Sequence, residues 1–243
     1  VGAVGEADGP VVPVGTRLAP AGTDIRFEQV SFRWQADRGA VFDGLTLEIR
    51  QGARVAILGP SGIGKSSLAA LLLKVAAPTS GRIMLGGEDL ATLESSSVRQ
   101  RMAWLSQATH LFADTIRANL LLGRPDATEA DLWTALDRAQ VGDVVRALPD
   151  GLDAWLGEGG ASLSGGQGRR IALARTLLSD APILILDEPA TGLDAETERD
   201  FLTTLYDVTA GRTVILIAHR LVGVERLDRV WRLSDGRAVA AAV

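Results

Sequence analysis

The sequence predicts an α/β fold with a mostly parallel sheet, and three features support this prediction. A short apolar stretch, Val55–Leu58, is followed by a glycine-rich loop and then by a helical run, Leu68–Leu73. Two later apolar runs, Ile183–Leu186 and Thr213–Ile217, have the length and continuity of strands buried on both faces. This order of strand, loop, helix and further buried strands is typical of a parallel sheet covered by helices.

The first part of the chain is rich in strand signals. Between Ile25 and Trp34, apolar residues alternate with polar ones, and the alternation changes phase at Glu28-Gln29. A change of phase inside an alternating run predicts a strand with a bulge. Three further short segments are strand candidates: Leu45–Ile49, Ile83–Leu85 and Met102–Leu105.

The middle of the chain predicts helices. Thr115–Leu122 has a helical pattern, and Thr128 with Asp131 has the spacing of a capping box. The helix that follows this box shows the i, i+3, i+4, i+7 spacing of an amphipathic helix at Leu132, Ala135, Leu136 and Ala139. Another helix is predicted at Gly166–Leu178, after a glycine-rich loop at 157–160.

Composition limits the function classes. The chain has 243 residues, with 25 Lys and Arg, 30 Asp and Glu and a net charge of −5, which disfavours nucleic acid and anionic lipid as partners. It has no cysteine, and a reducing compartment such as the cytoplasm is its natural setting. No apolar run approaches the ~20 residues that span a bilayer. Residues 1–23, rich in Gly, Pro and Ala, are interpreted as a linker, and the chain is a candidate for a piece of a longer polypeptide.

The glycine loop has the pattern G-x-x-x-x-G-K-S over Gly59–Ser66. Glycines allow backbone N–H groups to converge on phosphate oxygens, and the N-terminus of the following helix adds positive potential. Lys65 supplies a full charge, and the Ser66 hydroxyl suits Mg²⁺. The alternative is a flexible Gly/Ser turn before an ordinary helix, but both flanks favour binding of a nucleoside triphosphate.

Carboxylates and a histidine end the later strands. Asp187-Glu188 follows the apolar strand, so that Asp187 would bind Mg²⁺ and Glu188 would polarise an attacking water. His219 ends the next apolar run and is a candidate to contact the γ-phosphate or to steady the water. A solvated acidic turn and a structural histidine are the alternatives. His110 is assigned no chemistry.

Leu163–Gln167 is a second candidate anion site, because Ser164 and two glycines open a helix. One γ-phosphate does not need two helix ends from one chain. The segment is therefore predicted to contact a nucleotide held by a second subunit, which would make the nucleotide part of a head-to-tail dimer interface. A plain N-capped helix is the alternative.

In order and spacing these motifs resemble the nucleotide-binding domain of ABC transporters, from about Phe27 to about Gly236. The resemblance implies a P-loop NTPase core, an antiparallel β subdomain and a helical subdomain at about 108–178, all within residues 24–243. It implies ATP and Mg²⁺ as ligands, with Glu188, His219 and Lys65 as catalytic residues and Ser66, Gln107 and Asp187 at the metal. The nucleotide-contacting residues that it implies are Trp34, Gly59, Ser61, Gly62, Gly64, Lys65, Ser66, Ser67, Gln107, Ser164, Gly165, Gly166, Gln167 and Asp194. Trp34 would stack on adenine.

A narrower resemblance is to the exporter branch, through Leu111-Phe112, Thr115-Ile116 and Asn119-Leu120. The segments 151–160 and 191–198 are similar to one subunit of the bacterial heterodimeric exporter of cysteine and glutathione that cytochrome bd assembly requires. The resemblance implies a second nucleotide-binding domain, identical or different, and the transmembrane domain of an exporter as partners. It also implies a location on the cytoplasmic face of the bacterial inner membrane.

Three other functions are alternatives. A soluble cassette ATPase acting on nucleic acid or ribosomes would be expected to show a second cassette, a coiled-coil insert or a basic face, and the sequence shows none of these. A regulatory module that binds nucleotide without hydrolysing it would not need Glu188. A small P-loop kinase would leave the Leu163–Gln167 segment unexplained.

Overall fold

The structure is a computed structural model that describes residues 12–108, 110–157, 163–223 and 225–241. The chain forms two compact units. The β-rich unit comprises Val1–Arg101 and Asp228–Val243, and the helical unit comprises Met102–Leu227. Residues 1–11 of the predicted linker and residues 158–160 of the predicted glycine-rich loop lie outside the described residues.

The described residues contain ten strands and seven α-helices. The strands are β1 Ile25–Phe32, β2 Phe42–Ile49, β3 Arg54–Leu58, β4 Ser80–Leu85, β5 Glu88–Asp89, β6 Met102–Leu105, β7 Ile183–Asp187, β8 Thr213–Ala218, β9 Arg229–Ser234 and β10 Arg237–Ala241. The helices are α1 Lys65–Leu72, α2 Ser95–Gln100, α3 Ile116–Leu121, α4 Glu129–Arg138, α5 Gly142–Arg146, α6 Gly165–Leu178 and α7 Ala195–Val208.

An antiparallel sheet in the β-rich unit has the strand order β2-β1-β4-β5. Strand β1, which pairs with both β2 and β4, carries the predicted irregularity, because its register with β2 shifts between Phe27 and Val30. Gln29 has a φ of 51°, and a Cβ at Gly81 would lie 2.2 Å from the Gln29 carbonyl oxygen. Glycine at position 81 therefore allows β4 to approach the bulge closely.

A second set of strands in the β-rich unit has the order β10-β9-β3. β3 pairs in parallel with β9, while β9 and β10 form an antiparallel pair. All five residues of β3 are buried, which explains the continuous apolar run Val55–Leu58 that follows Arg54. This strand leads directly into the glycine loop and α1.

The strands of the helical unit have the order β8-β7-β6, and both pairs are parallel. All five residues of β7 are buried. Parallel strands end at the same edge of a sheet, so the residues that follow β6, β7 and β8 come together there. The predicted α/β fold with a mostly parallel sheet, an antiparallel β subdomain and a helical subdomain is confirmed.

The helices of the helical unit pack around a core that includes Leu120, Leu136 and Ile171. The predicted capping box is present at the start of α4, where Thr128 and Asp131 bond reciprocally. α6 begins at Gly165, one residue before its predicted start. No helix among the described residues combines the length and apolar character needed to cross a membrane.

The described part of the predicted linker contacts the β-rich unit. Arg17 forms an ion pair with Glu88 at 2.6 Å. The backbone N–H of Ala19 donates to the Ser97 hydroxyl at 2.9 Å. These contacts fix the path of the chain before β1.

Candidate functional site

The glycine loop between β3 and α1 has the backbone shape of an anion cradle. Gly62 and Gly64 have φ values of 79° and 107°, which favour glycine. A Cβ at Gly64 would lie 2.5 Å from Val41 Cγ1 and 3.0 Å from Phe42 Cε1, whereas a Cβ at Gly62 would meet nothing within 4 Å. The loop is therefore packed closely at Gly64 and open at Gly62.

Lys65 is buried at the start of α1, with 7% of its surface exposed. Its Nζ donates to the carbonyl oxygens of Gly59 at 2.7 Å and Pro60 at 3.0 Å, so the charge lies across the loop. No side chain caps the N-terminus of α1. A helix end without a side-chain cap, next to a buried cation, fits the negative charge of a triphosphate.

The other residues predicted to contact nucleotide in this unit lie near the loop. Ser61 and Ser66 are exposed, whereas Ser67 is buried. The indole Nε1 of Trp34 donates to Ser67 Oγ at 3.0 Å, which places the ring beside α1. Trp34 also packs edge-on against Phe32, and 41% of its surface is exposed. An accessible indole beside the loop is consistent with a stacking surface for a base.

In the helical unit, Asp187 is the last residue of β7 and is 2% exposed. Glu188 follows it with a φ of 50°, which is uncommon for a residue with a side chain. The N–H of Glu188 donates to the carbonyl oxygen of Ile217 on β8 at 2.8 Å. The strand end therefore holds the Glu188 backbone in a left-handed turn.

The Glu188 carboxylate is paired with His219. Glu188 Oε1 lies 2.6 Å from His219 Nε2, and the side chain of Glu188 is 14% exposed. Thr191 Oγ1 donates to the other oxygen, Oε2, at 3.3 Å. The structure places His219 against the Glu188 carboxylate, and its contact with the γ-phosphate or a water stays a prediction. An imidazole N–H in this position orients the carboxylate.

A cavity adjoins this pair. Its volume is about 220 Å³, and its lining includes Glu188, Thr191, His219 and Arg220. A cavity of this size holds several waters, and its polar groups can bind them. The Glu188 carboxylate therefore lies beside a cavity that has room for water.

The Leu163–Gln167 segment forms the start of α6. The Ser164 hydroxyl accepts from the N–H of Gln167 at 3.2 Å, and Gln167 Oε1 accepts from the N–H of Ser164 at 3.0 Å. This capping box was not predicted, although the sequence S-x-x-Q is its signal. A Cβ at Gly165 or Gly166 would meet nothing within 4 Å, so this face of the helix start is open.

Asp194 and Gln107 lie in loops of the same unit. Asp194 is the N-cap of α7 and accepts from the N–H and hydroxyl of Thr197 at 3.0 and 2.7 Å. These bonds from Thr197 hold the pKa of the Asp194 carboxyl below its ordinary value. Gln107 is exposed, and its carbonyl oxygen accepts from Arg169 at 2.6 Å.

Sequence reasoning missed Arg169, which is 7% exposed and whose guanidinium donates to backbone carbonyls after β6 and β7. A signal existed, since Ala172, Leu173 and Thr176 lie three, four and seven residues after Arg169. This spacing places all four residues on one face of the helix, and all of them are buried. An arginine on the buried face of a helix requires partners. The sequence could not indicate that those partners are backbone oxygens.

The glycine loop and the two carboxylates of Asp187 and Glu188 are features of nucleoside triphosphatases. Comparison with known proteins gives the class. The chain belongs to the ABC transporter family, whose model matches residues 42–191. It has the fold of an ABC ATPase and is an ATP-binding, ATP-hydrolysing domain.

Individual relatives narrow the comparison. The chain is 45% identical over 242 residues to the ATP-dependent lipid A-core flippase of Ralstonia nicotianae, covering 98% of this chain and 41% of the relative. It is 40% identical over 226 residues to an ATM1-type heavy metal exporter of Novosphingobium aromaticivorans, covering 93% and 37%. A solved structure of a bacterial Atm1-family ABC exporter with ATP bound superposes with a TM-score of 0.89 at 39% identity, covering 95% and 41%. The chain spans about two fifths of the length of the curated relatives it matches.

Proposed function

We propose that this chain is the motor domain of an ABC exporter, in which the phosphate loop binds ATP and Glu188 activates the water that attacks the γ-phosphate. The pairing of Glu188 Oε1 with His219 Nε2 at 2.6 Å, beside a cavity of about 220 Å³, is the observation that carries this proposal. In this scheme the water proton passes to Glu188 Oε1 or Oε2, while His219 and Thr191 keep the carboxylate aimed at the cavity.

The loop residues have the binding role. Backbone N–H groups at Gly62 and Gly64 and the ammonium of Lys65 would contact the phosphates, with Ser61 and Ser67 supporting the loop. Trp34 would stack on adenine. The buried position of Lys65, across the loop rather than in solvent, supports this assignment.

Mg²⁺ fits the donor chemistry of three proposed ligands. Ser66, Gln107 and Asp187 all offer oxygen atoms, which Mg²⁺ prefers. No group of three or more His, Cys, Asp or Glu that could hold a metal occurs among the described residues. When bound, Mg²⁺ would neutralise charge on the phosphates.

A second nucleotide-binding domain is the proposed partner at Ser164. The open faces at Gly165 and Gly166 and the capped helix start support an anion contact there, together with Gln167 and the loop at Asp194. ATP would then hold two domains, identical or different, in a head-to-tail pair. Closure of that pair would drive a transmembrane partner, and hydrolysis would reset it.

Exposed aromatic side chains in the helical unit support a membrane-embedded partner. Phe112 and Trp155 are 59% and 62% exposed. Thr115 forms a β-bridge with Trp155, and the Asn119 amide bonds to the carbonyls of both Phe112 and Thr115. Exposed apolar groups held on a fixed backbone are typical of interaction sites. The proposed location is the cytoplasmic face of the bacterial inner membrane.

The transported compound is proposed as a small molecule, with cysteine or glutathione as the candidate from the resemblance of segments 151–160 and 191–198. The names of the similar relatives specify lipid A-core and heavy metals instead. Transport of radiolabelled glutathione and of a lipid A-core analogue by the full transporter in vesicles would separate these classes.

Glu188→Gln tests the proposal. The amide cannot take the water proton, so we expect ATP binding to persist and turnover to fall by about a thousandfold, a loss within the range for a general base. Fluorescent nucleotide binding and phosphate release measure the two quantities. Unchanged turnover would remove Glu188 from this role. Absence of turnover in the unaltered domain, paired with its partner, would favour the non-hydrolysing module.

A further inference from the structure

Arg169 is a buried arginine on the fifth residue of α6. Its guanidinium donates to the carbonyl oxygens of Ser106 at 3.3 Å, Gln107 at 2.6 Å and Glu188 at 2.9 Å, and also to that of Asp187. Its Nε adds a further bond to Glu188 at 3.2 Å. One side chain therefore contacts the segments that follow β6 and β7, both of which carry proposed site residues.

This arrangement is specific to arginine. The guanidinium is a planar group with five N–H donors, so it can bond several carbonyl oxygens at once, whereas a lysine ammonium has three donors at one point. Burial lowers the pKa of the Arg169 guanidinium, and the charges of Asp187 and Glu188 act in the opposite direction. A buried cation is costly, and its many bonds offset that cost.

The bonds reach the backbone of Glu188, where the conformation needs support. With a φ of 50°, Glu188 occupies the left-handed region, in which residues with side chains are strained. Its N–H bonds to Ile217 and its carbonyl oxygen bonds to Arg169. Arg169 thus holds the carbonyl side of the residue whose carboxylate pairs with His219.

Arg169 also lies two residues after Gln167, which closes the capping box with Ser164. The helix start, the loop at Gln107 and the backbone of Glu188 are therefore joined through one side chain. These bonds are a direct physical connection between the start of α6 and the backbone at Gln107 and Glu188.

We propose that Arg169 is a positioning residue that fixes the Glu188 backbone for hydrolysis and couples it to the start of α6. This inference rests on the proposed function of Glu188. Arg169 does not contact the reacting atoms in this scheme, so its loss should slow turnover and leave ATP binding nearly unchanged.

Arg169→Lys and Arg169→Met test this inference, with Arg170→Lys as the matched control. Arg170 is the next residue on α6, and its guanidinium donates to the carbonyl oxygen of Gln140 at 3.0 Å instead. Steady-state ATPase assays give kcat and KM. They are done at a temperature at which circular dichroism shows that each variant is folded. Amide resonances of Gln107 and Glu188 in ¹⁵N spectra report the geometry directly. The lysine variant keeps the charge and remains informative if the methionine variant does not fold.

We expect Arg169→Lys to lower kcat about tenfold with KM for ATP unchanged, the loss that one charge-assisted bond at the low end of the usual range predicts. The Gln107 and Glu188 resonances should shift in this variant and not in Arg170→Lys. A kcat equal to that of the unaltered chain, unshifted resonances, or an equal loss in Arg170→Lys would each overturn the inference. Glu188→Gln separates the two proposals. Unchanged turnover in Glu188→Gln contradicts the function, whereas loss of turnover in Glu188→Gln together with an unchanged kcat in Arg169→Lys contradicts only the inference.

Discussion

Removal of His219 should reduce turnover by an amount that the geometry of its bond to Glu188 determines. His219→Ala deletes the 2.6 Å contact between Nε2 and Oε1. A hydrogen bond to a charged group contributes about 1.5 to 3 kcal/mol, and the low end applies here because the imidazole is 44% exposed. At about 1.5 to 2 kcal/mol the expected loss in kcat is roughly 10- to 30-fold.

Thr191→Val gives the scale for comparison. Thr191 Oγ1 lies 3.3 Å from Glu188 Oε2, so this bond is longer and weaker than the bond from His219. At about 0.5 to 1 kcal/mol the expected loss in kcat is roughly 2- to 5-fold. Valine preserves the shape of the side chain, so packing is a minor contribution. We therefore expect kcat to be highest in the unaltered chain, lower in Thr191→Val and lowest in His219→Ala.

The assay is steady-state phosphate release over a range of ATP concentrations. The effects should fall on kcat and not on KM, because these bonds orient the carboxylate rather than hold the nucleotide. His110→Ala is the control, since His110 is the chain's other histidine and is exposed. A rise in KM with kcat unchanged, or a larger effect from Thr191→Val than from His219→Ala, would refute the reasoning.

Two predictions concern the supports of the site. Gly64→Ala should lower the melting temperature more than Gly62→Ala. Both positions have a positive φ, but only a Cβ at Gly64 would lie 2.5 Å from Val41. Equal losses of melting temperature in calorimetry would contradict this prediction. Asn119→Ala should lower the free energy of unfolding by about 2 kcal/mol, because the buried amide bonds to the N–H and the carbonyl of Phe112 and to the carbonyl of Thr115. Urea denaturation measures this, with Asn119→Asp expected to lose at least as much, because a buried carboxylate oxygen would face the two carbonyl oxygens that the amide N–H groups bond; an unchanged midpoint in Asn119→Ala would contradict it.

The parts of the fold that the sequence predicted are those with local causes. The bulge in β1 follows from a change of phase at Glu28-Gln29, and the start of α4 follows from the reciprocal bonds of Thr128 and Asp131. The glycine loop is also local, because the glycines, Lys65 and the flanking strand and helix are contiguous. Each of these features is specified within about ten residues of chain, the range over which periodicity and capping act.

The parts that the sequence did not predict depend on contacts between distant segments. The bond between His219 and Glu188 was not predicted, because it joins residues that follow two different strands whose spacing the sequence does not give. The left-handed backbone of Glu188 gave no signal, since the residue is not glycine. Arg169 bonds to carbonyl oxygens, which every residue has, so no residue type marks its partners.

The backbone conformation of Glu188 costs free energy, and this cost explains why several groups form hydrogen bonds with the residue. A non-glycine residue in the left-handed region costs about 1 to 2 kcal/mol, and one ordinary hydrogen bond contributes about 1 kcal/mol, so a single bond would not hold this conformation. Among the described residues, four form hydrogen bonds with Glu188 instead. Ile217, Arg169 and the N–H of Thr191 bond its backbone, and His219 and the hydroxyl of Thr191 bond its carboxylate. Because the conformation depends on these bonds jointly, loss of any one should reduce the population of the active geometry without abolishing it. The variants of Arg169, Thr191 and His219 should therefore form a graded series in kcat, in contrast to Glu188→Gln, which removes the base itself.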